Sequence, residues 1–382
     1  MTVNQIYGIV NSVNSQMAGT SAVAITDLSG LISMGQSTLS SATATDKFLG
    51  ILTDRIGKTI LRTLDLSVDF PNLLRNEFEF GAVLQKIDVE PFEAQTNTSW
   101  NIGANDYTPD QFAVKKPTVT QTFFTDVDTW KYSVTIPDTL LKTAFTSAEA
   151  MGAFITAIMD ALEKSVIEGL NSMSHMCVAN FIGEKIHAEN GVINLLTEYV
   201  SKTGDTTLTA STALYSERFL KFASMTIKNY IGYLSTPKTI FNTAGKKRAT
   251  LRDNLHVLLL NDFVSASDAF MSAGTFHKEL VALPMFEAVE HWQGASSTNG
   301  GAVDSNDAIN IKTSSGDTVT ATGIVGVLAD REAIALGMMD RYTATDRNNA
   351  DRYTNYTTGA TMQYINDLSE NGVIFIIADD GE

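Results

Sequence analysis

The sequence lacks several features that would restrict its chemistry or its location. A single cysteine, Cys177, among 382 residues excludes an intramolecular disulfide framework and a cysteine-based zinc site. No run of about 18 apolar residues occurs, so we expect no membrane-spanning helix. The N-terminus lacks a basic start followed by a compact apolar core, so we expect no secretory signal. These absences predict a soluble protein that is made in a reducing cytoplasm.

Charged residues are also scarce. They make up 18% of the chain, against about 25% in typical soluble domains. A surface with little charge suits a protein that covers part of itself with partners. The formal net charge of -16 argues against bulk attraction to phosphate backbones. The short basic run at residues 246–248 is interpreted as a solvated loop.

Motifs for catalysis are missing as well. The five histidines are not spaced as metal ligands, and there is no phosphate-binding loop, dinucleotide fingerprint or nucleophile elbow. Carboxylate pairs such as Asp330 and Glu332 fall on turns. We therefore predict that the protein is not an enzyme and has no catalytic, metal or cofactor site. A hydrolase that uses Asp330 and Glu332 is the enzyme alternative, and it requires a deep pocket with shifted carboxylates.

Helical patterns are present in the first half of the chain. Residues 1–45 are rich in Ser, Thr, Ala, Gly and Asn, which predicts an extended arm that orders against another surface. Residues 46–64 repeat apolar side chains at helical spacing. A capping box at Thr146–Glu149 precedes an apolar stripe, which predicts a long helix from Ser147 to about Ile182 that stops at Gly183.

Alternating patterns predict a projecting β-arm. In "AVLQKIDVEP", Ile87 and Val89 lie on one face while Lys86 and Asp88 lie on the other. The segment "WKYSVTIP" alternates in the same way, and the chain between them is polar and keeps β propensity. The pattern predicts a long two-stranded arm that projects from a small sheet. Because an isolated hairpin is marginal in water, this arm should rest on another chain.

The second half reads as a separate α/β unit over residues 191–340. It contains a helical pattern at 215–234, a buried strand at Leu255–Asp262 and a hairpin that turns at Ser314–Asp317. Between two apolar runs lies Asp330-Arg331-Glu332, which we interpret as a solvated corner between strands. Residues 341–382 are predicted to return as strands to the small sheet.

This order of elements resembles the major capsid proteins of tailed bacteriophages, which have the Hong Kong 97-type (Johnson) fold. The stretches "GVLADREAIALGMMDRYT" and "DRYTNYTTGATMQYINDLSENGVIFII" are similar to the C-terminal region of such proteins, nearest to the phi-twenty-nine-like podophage group. The resemblance implies an α+β fold in six parts. They are an N-terminal arm (1–45), a helix with the first peripheral-domain strands (46–90), a projecting β-hairpin or E-loop (91–128), a peripheral domain with the spine helix (129–190), an α/β axial domain (191–340) and a C-terminal return of peripheral strands (341–382).

The resemblance also implies a function and partners. Copies would assemble into hexamers and pentamers of an icosahedral virion shell around double-stranded DNA, without sequence-specific binding. A scaffolding protein and a portal would be partners, and assembly would occur in the bacterial host cytoplasm. An encapsulin-type nanocompartment shell is the alternative. Candidate subunit-interface residues lie on the arm and at the strand corner: Asp110, Lys115, Lys116, Asp330, Arg331 and Glu332.

Overall fold

The computed structural model describes residues 3–18, 24–63, 69–75, 84–89, 116–125, 127–274, 286–293, 305–348 and 350–379. The α-helices in these ranges are α1 (Val3–Ala18), α2 (Leu28–Leu39), α3 (Ala42–Thr63), α4 (Asp138–Ala144), α5 (Ala148–His187), α6 (Leu195–Thr203), α7 (Ala210–Ala213), α8 (Glu217–Leu234) and α9 (Asn261–Gly274). The strands are β1 (Leu74–Arg75), β2 (Leu84–Val89), β3 (Val119–Phe124), β4 (Val127–Pro137), β5 (Val192–Asn194), β6 (Leu255–Leu260), β7 (Glu287–Val289), β8 (Ile309–Lys312), β9 (Thr318–Ala321), β10 (Ile324–Asp330), β11 (Ile334–Asn348), β12 (Tyr353–Asn366) and β13 (Gly372–Ile376). Helices and strands are both abundant, as the α+β prediction requires.

A five-stranded sheet forms the centre of the α/β unit, in the order β5-β13-β10-β6-β7. Its middle strand β10 runs antiparallel to both β13 and β6. The sheet is covered on both faces, because Val325 and Leu328 of β10 belong to one core while Ile324 and Val327 belong to the other. Burial on both faces explains why β6 and β10 read as continuous apolar runs.

A four-stranded sheet has the order β1-β11-β12-β4. β11 and β12 form a long hairpin whose register runs from Ile334–Asn366 to Asn348–Tyr353. β4 pairs with β12 along its whole length, from Tyr353–Pro137 to Gln363–Val127. The predicted strand in "WKYSVTIP" is therefore present. Its partner is β12, however, and β2 pairs with β3 instead.

The spine helix α5 is 40 residues long, on the order of 60 Å at about 1.5 Å per residue. Ser147 caps it by accepting a hydrogen bond from the Ala150 amide at 3.0 Å, so the cap lies one residue later than the predicted capping box. The predicted stop at Gly183 is wrong, since the helix continues to His187. A side chain at position 183 would overlap Ile311, so close packing explains this glycine.

The prediction of an extended arm at residues 1–45 is also wrong for the part that the structure describes. Helices α1 and α2 occupy most of it, and Asp27 caps α2 through a 2.8 Å hydrogen bond from the Gly30 amide. The small, scattered apolar residues that suggested an arm do reach a core. Val10, Val13 and Leu31 are fully buried in the core that surrounds α5.

The two C-terminal strands, β12 and β13, belong to different sheets. β12 lies in the four-stranded sheet, as predicted, but β13 pairs with β10 and β5 in the five-stranded sheet. The expectation that all of residues 341–382 return to the small sheet therefore needs correction: the α/β unit recruits its second strand from beyond residue 340. Within the described part of the chain, every helix is too short or too polar to span a lipid bilayer.

Candidate assembly site

The base of the predicted β-arm is a two-stranded antiparallel ribbon of β2 and β3. Side chains alternate between its faces with a period of two residues. One face carries Ile87, Val89, Val119 and Phe123, and these side chains are 63%, 52%, 56% and 54% exposed. We call these four residues the apolar arm face. The amphipathic strand thus turns its apolar side to solvent and its polar side to the body of the subunit.

The polar side of β2 reaches carboxylates near the C-terminus of the chain. Lys86 Nζ lies 2.9 Å from Asp367 Oδ2 and 3.2 Å from Glu332 Oε2, and it also pairs with Glu370. Asp367 and Glu370 are buried, at 5% and 6% side-chain exposure. Buried carboxylates without a counter-charge are costly, so Lys86 compensates them in the folded chain.

The neighbouring position on β2 makes the reverse arrangement. Asp88 Oδ2 accepts hydrogen bonds from Lys246 Nζ at 3.0 Å and from Arg248 Nη2 at 2.6 Å. The same guanidinium reaches Glu370 Oε1 through Nη1 at 2.6 Å. These pairs connect β2, the loop after α8 and the turn before β13. We call the set the arm-anchor cluster: Lys86, Asp88, Lys246, Arg248, Asp367 and Glu370.

Electrostatic coupling shifts the pKa values inside this cluster. Burial alone would raise the pKa of the Asp88 carboxyl, but the hydrogen bond from Lys246 and the charge of Arg248 hold it below its ordinary value. Burial likewise opposes ionisation of Lys86, yet the hydrogen bonds and charges of Glu370 and Asp367 hold the Lys86 pKa above its ordinary value. Both shifts favour the charged forms of Lys86 and Asp88, whereas burial raises the pKa of the Glu370 carboxyl above its ordinary value despite the neighbouring Lys86 and Arg248.

The corner Asp330-Arg331-Glu332 is a tight turn between β10 and β11. Asp330 Oδ1 accepts from the Glu332 amide at 2.9 Å, and Asp330 Oδ2 accepts from the Thr250 hydroxyl at 2.6 Å. Glu332 meets Lys86 of the arm-anchor cluster. The interpretation as a corner is confirmed, and the local geometry explains these two carboxylates as a cap and a counter-charge.

The other predicted interface residues fall at the arm. Lys116 is exposed and lies three residues before β3. Asp110 and Lys115 lie outside the described residues. Glu332 lies at the base of the arm, where it pairs with Lys86. Arg331 instead lines a cavity beside α8.

Sequence reasoning missed the arm-anchor cluster. The prediction of a solvated loop at residues 246–248 is wrong for Lys246 and Arg248, whose side chains are only 13% and 16% exposed. The sequence does show that β2 alternates charged and apolar residues. This alternation leaves open which of the two faces packs against the subunit. The charges opposite Lys86 and Asp88 lie more than 150 residues away in the sequence, and no local pattern indicates them.

Other ionisable groups are buried away from the arm. Burial raises the pKa of the Cys177 thiol to about 12, so this cysteine is unreactive. The His175 ring stacks on His291 with 4.3 Å between centroids, and its Nε2 lies 3.3 Å from Asp69 Oδ2. Burial and the neighbouring His291 lower the His175 pKa. Across the described ranges, no group of three or more His, Cys, Asp or Glu side chains is arranged to hold a metal ion.

Lys185 near the end of α5 is fully buried. Its Nζ donates to Asn190 Oδ1 at 2.8 Å and to the Phe241 carbonyl oxygen at 2.7 Å. Burial lowers the Lys185 pKa to about 7. A neutral amine carries two N–H groups, which matches these two acceptors, and the contact ties the spine helix to the loop after α8.

Comparison with known proteins agrees with this architecture. The model of one protein family, described as Phi29-like phage major capsid protein, matches residues 8–376. The chain belongs to this family. The match extends across the spine helix, both sheets and the β-arm, and it confirms the resemblance to phi-twenty-nine-like capsid proteins.

Individual relatives of this capsid family member are distant. The major capsid protein of Bacillus phage PZA is 23% identical over 208 residues, which cover 52% of this chain and 45% of that protein. The chain thus spans about half the length of the curated relative that it matches. The capsid structure of Staphylococcus phage Andhra includes a chain with a TM-score of 0.50 and 8% identity, covering 80% of this chain and 83% of that one. This similarity supports the Hong Kong 97-type fold.

Proposed function

We propose that copies of this chain assemble into hexamers and pentamers of an icosahedral phage shell around double-stranded DNA. The observation that carries the proposal is the apolar arm face. Single exposed apolar side chains are ordinary, but four on one face of a two-stranded ribbon mark an interaction surface. A second copy of the chain is the partner that membership in a capsid family supports.

The arm-anchor cluster adds a mechanical reason. Lys86 and Asp88 hold the inner face of β2 to the body of the subunit, while the outer face of the same strand remains apolar. An element that is fixed before binding loses less conformational entropy when it docks. The ion pairs therefore aim the arm, and the apolar arm face supplies the contact.

The proposal also assigns regions of the chain to the domains of the Hong Kong 97-type fold. The E-loop would cover residues 91–128, a range that includes β3 and the first two residues of β4, and it would begin after β2. The peripheral domain would consist of α5 and the four-stranded sheet. The axial domain would consist of the five-stranded sheet with α6, α8 and α9, and it would include β13 as well as residues 191–340.

Further partners belong to the same proposal. A scaffolding protein and a portal would join assembly in the host cytoplasm, and the enclosed DNA would be held without sequence-specific binding. Membership in the capsid family favours the phage shell over an encapsulin compartment. On the arm, the residues that would contact the neighbouring subunit are Asp110, Lys115 and Lys116. Asp330, Arg331 and Glu332 would lie at the strand corner beside the neighbouring subunit.

The experiment replaces the apolar arm face and observes shells. In the double variant I87D/F123D, two exposed side chains gain charge, so the stability of the subunit should change by less than about 0.5 kcal/mol per site. Assembly should be lost, because each interface would bury two carboxylates. The control I87L/F123L keeps the face apolar and should assemble. Electron microscopy and sedimentation velocity of the purified full-length proteins report shells, and normal shells from I87D/F123D would refute the proposal.

A further inference from the structure

Positive charge is concentrated in one segment of this acidic chain. Residues 217–252 contain eight Lys and Arg and one Asp or Glu, a net charge of +7. The remaining 346 residues hold 19 Lys and Arg against 42 Asp and Glu, a net charge of -23. The segment comprises α8, the loop that follows it and the turn before β6. Lys246 and Arg248 of this segment already pair with Asp88 and Glu370 inside the subunit, so the charge that can attract an acidic partner lies on its other cations.

Helix α8 presents part of this charge to solvent. Its buried side chains, including Phe219, Ile227 and Ile231, face the core, and the opposite side carries the exposed Met225 and Tyr233 and the half-buried Lys228. Met225 and Lys228 are three residues apart and therefore neighbours on this side, whereas Tyr233 lies about 140° around the helix from Lys228. Lys238 from the following loop lies over the Tyr233 ring, 4.4 Å from its centroid. The loop thus extends the outward face of the helix.

A cavity of about 670 Å³ lies beside this helix and gathers basic side chains from three elements. Lys228 of α8, Arg252 of the turn before β6 and Arg331 of the strand corner all line it. Asp253 and Glu287 line it too, so the cavity keeps an excess of positive charge without being uniformly basic. Leu251, next to Arg252, is exposed.

We propose that this surface docks an acidic surface of a second copy of the same chain. We call it the basic surface, and it consists of Lys228, Arg252, Arg331, Met225 and Leu251. The proposal rests on the proposed function, because it names a contact between shell subunits. The basic surface is separate from the arm. It would bind through charge, whereas the apolar arm face would bind through burial of apolar side chains.

Two observations favour a second copy over nucleic acid as the occupant. The exposed Met225 and Leu251 gain from burial against protein atoms, whereas a phosphate backbone offers them little apolar surface. A second copy also carries the complementary charge, since -23 lies outside the basic segment. In a closed shell, that acidic surface is present at a high effective concentration.

Cross-linking tests the contact directly. Chains with natural nitrogen and chains labelled with ¹⁵N are mixed before assembly, and a carbodiimide then couples lysine amines to carboxylates in direct contact. We expect mixed-isotope cross-links between Lys228 and an Asp or Glu, which only two different copies can produce. Raising NaCl from about 0.1 M to about 0.5 M should weaken them, because screening shortens the reach of the charges.

Charge reversal tests its importance for assembly. The variant K228E/R252E should unfold like wild type in urea yet give about tenfold fewer shells, because like charges would then face each other. The control K164E/K312E makes the same change in net charge at two exposed lysines elsewhere and should assemble normally.

The outcomes separate this inference from the proposed function. Wild-type shells without inter-copy cross-links at Lys228, together with normal shells from K228E/R252E, would overturn the basic surface and leave the shell function standing. Wild-type protein that forms no shells would overturn the shell function, and the mixed-isotope cross-links would still decide whether two copies meet at Lys228. Weaker binding of a DNA fragment to K228E/R252E, with assembly unchanged, would also overturn the inference, because the occupant would then be nucleic acid.

Discussion

Arg248 Nη2 lies 2.6 Å from Asp88 Oδ2, and this ion pair joins the first strand of the β-arm to the loop after α8. The same guanidinium holds Glu370 before β13. Three segments that are far apart in the sequence therefore depend on one side chain. Because all of these groups are largely shielded from solvent, losing one partner leaves charge that water compensates poorly.

Replacing Arg248 with Met should destabilise the subunit by about 1–3 kcal/mol, the usual range for losing hydrogen bonds to charged groups. The change leaves Asp88 with Lys246 and Glu370 with Lys86 as their remaining cluster partners. Urea unfolding of the full-length proteins measures the loss. The adjacent exposed residue provides the control, since K247M should change stability by less than about 0.5 kcal/mol. Equal effects of R248M and K247M would show that the cluster does not anchor the arm.

The buried amine of Lys185 should make stability depend on pH in the alkaline range. Its pKa is about 7 in the folded chain and near 10.5 when exposed. Between these values the unfolded chain binds a proton that the folded chain does not, so the free energy of unfolding rises with pH. The slope from one such group is at most about 1.4 kcal/mol per pH unit.

The variant K185M should lack this slope. Urea unfolding from pH 7 to 9.5 should show wild type gaining stability relative to K185M as the pH increases. Lys164 is an exposed lysine of the same helix, and K164M should give a curve parallel to that of wild type, because its amine is hydrated in both states. Parallel curves for wild type and K185M would mean that Lys185 is charged in the folded protein.

Two glycine-to-alanine variants should change stability in opposite directions. Alanine has the higher helix propensity by about 1 kcal/mol. At Gly183 of α5 a methyl group would overlap the buried Ile311, so G183A should destabilise by about 1–3 kcal/mol despite that propensity. At Gly232 of α8 no atom outside its chain neighbours and the surrounding helix backbone lies within 4 Å of the new methyl group, and G232A should be neutral or stabilising. Thermal unfolding compares the two, and a stabilised G183A would contradict the packing at Ile311.

Local chemistry allowed much of the fold to be predicted. The start of α5 could be predicted because the Ser147 cap involves residues within one helical turn. The runs in β6 and β10 and the alternation in β2 are similarly local. The errors occurred where a local signal had a distant cause. Gly183 signalled a helix end, whereas Ile311 on β8 is what requires a glycine there.

For the candidate assembly site, too, local sequence predicts one part and distant residues decide the other. The sequence by itself determined that one face of β2 is charged and the other apolar, since alternation follows from strand geometry. Only the tertiary structure decided that the charged face turns inward. That choice depends on Asp367, Glu370, Lys246 and Arg248 being within a few ångströms of Lys86 and Asp88. Charge interactions depend on distance in space, which separation along the chain does not give.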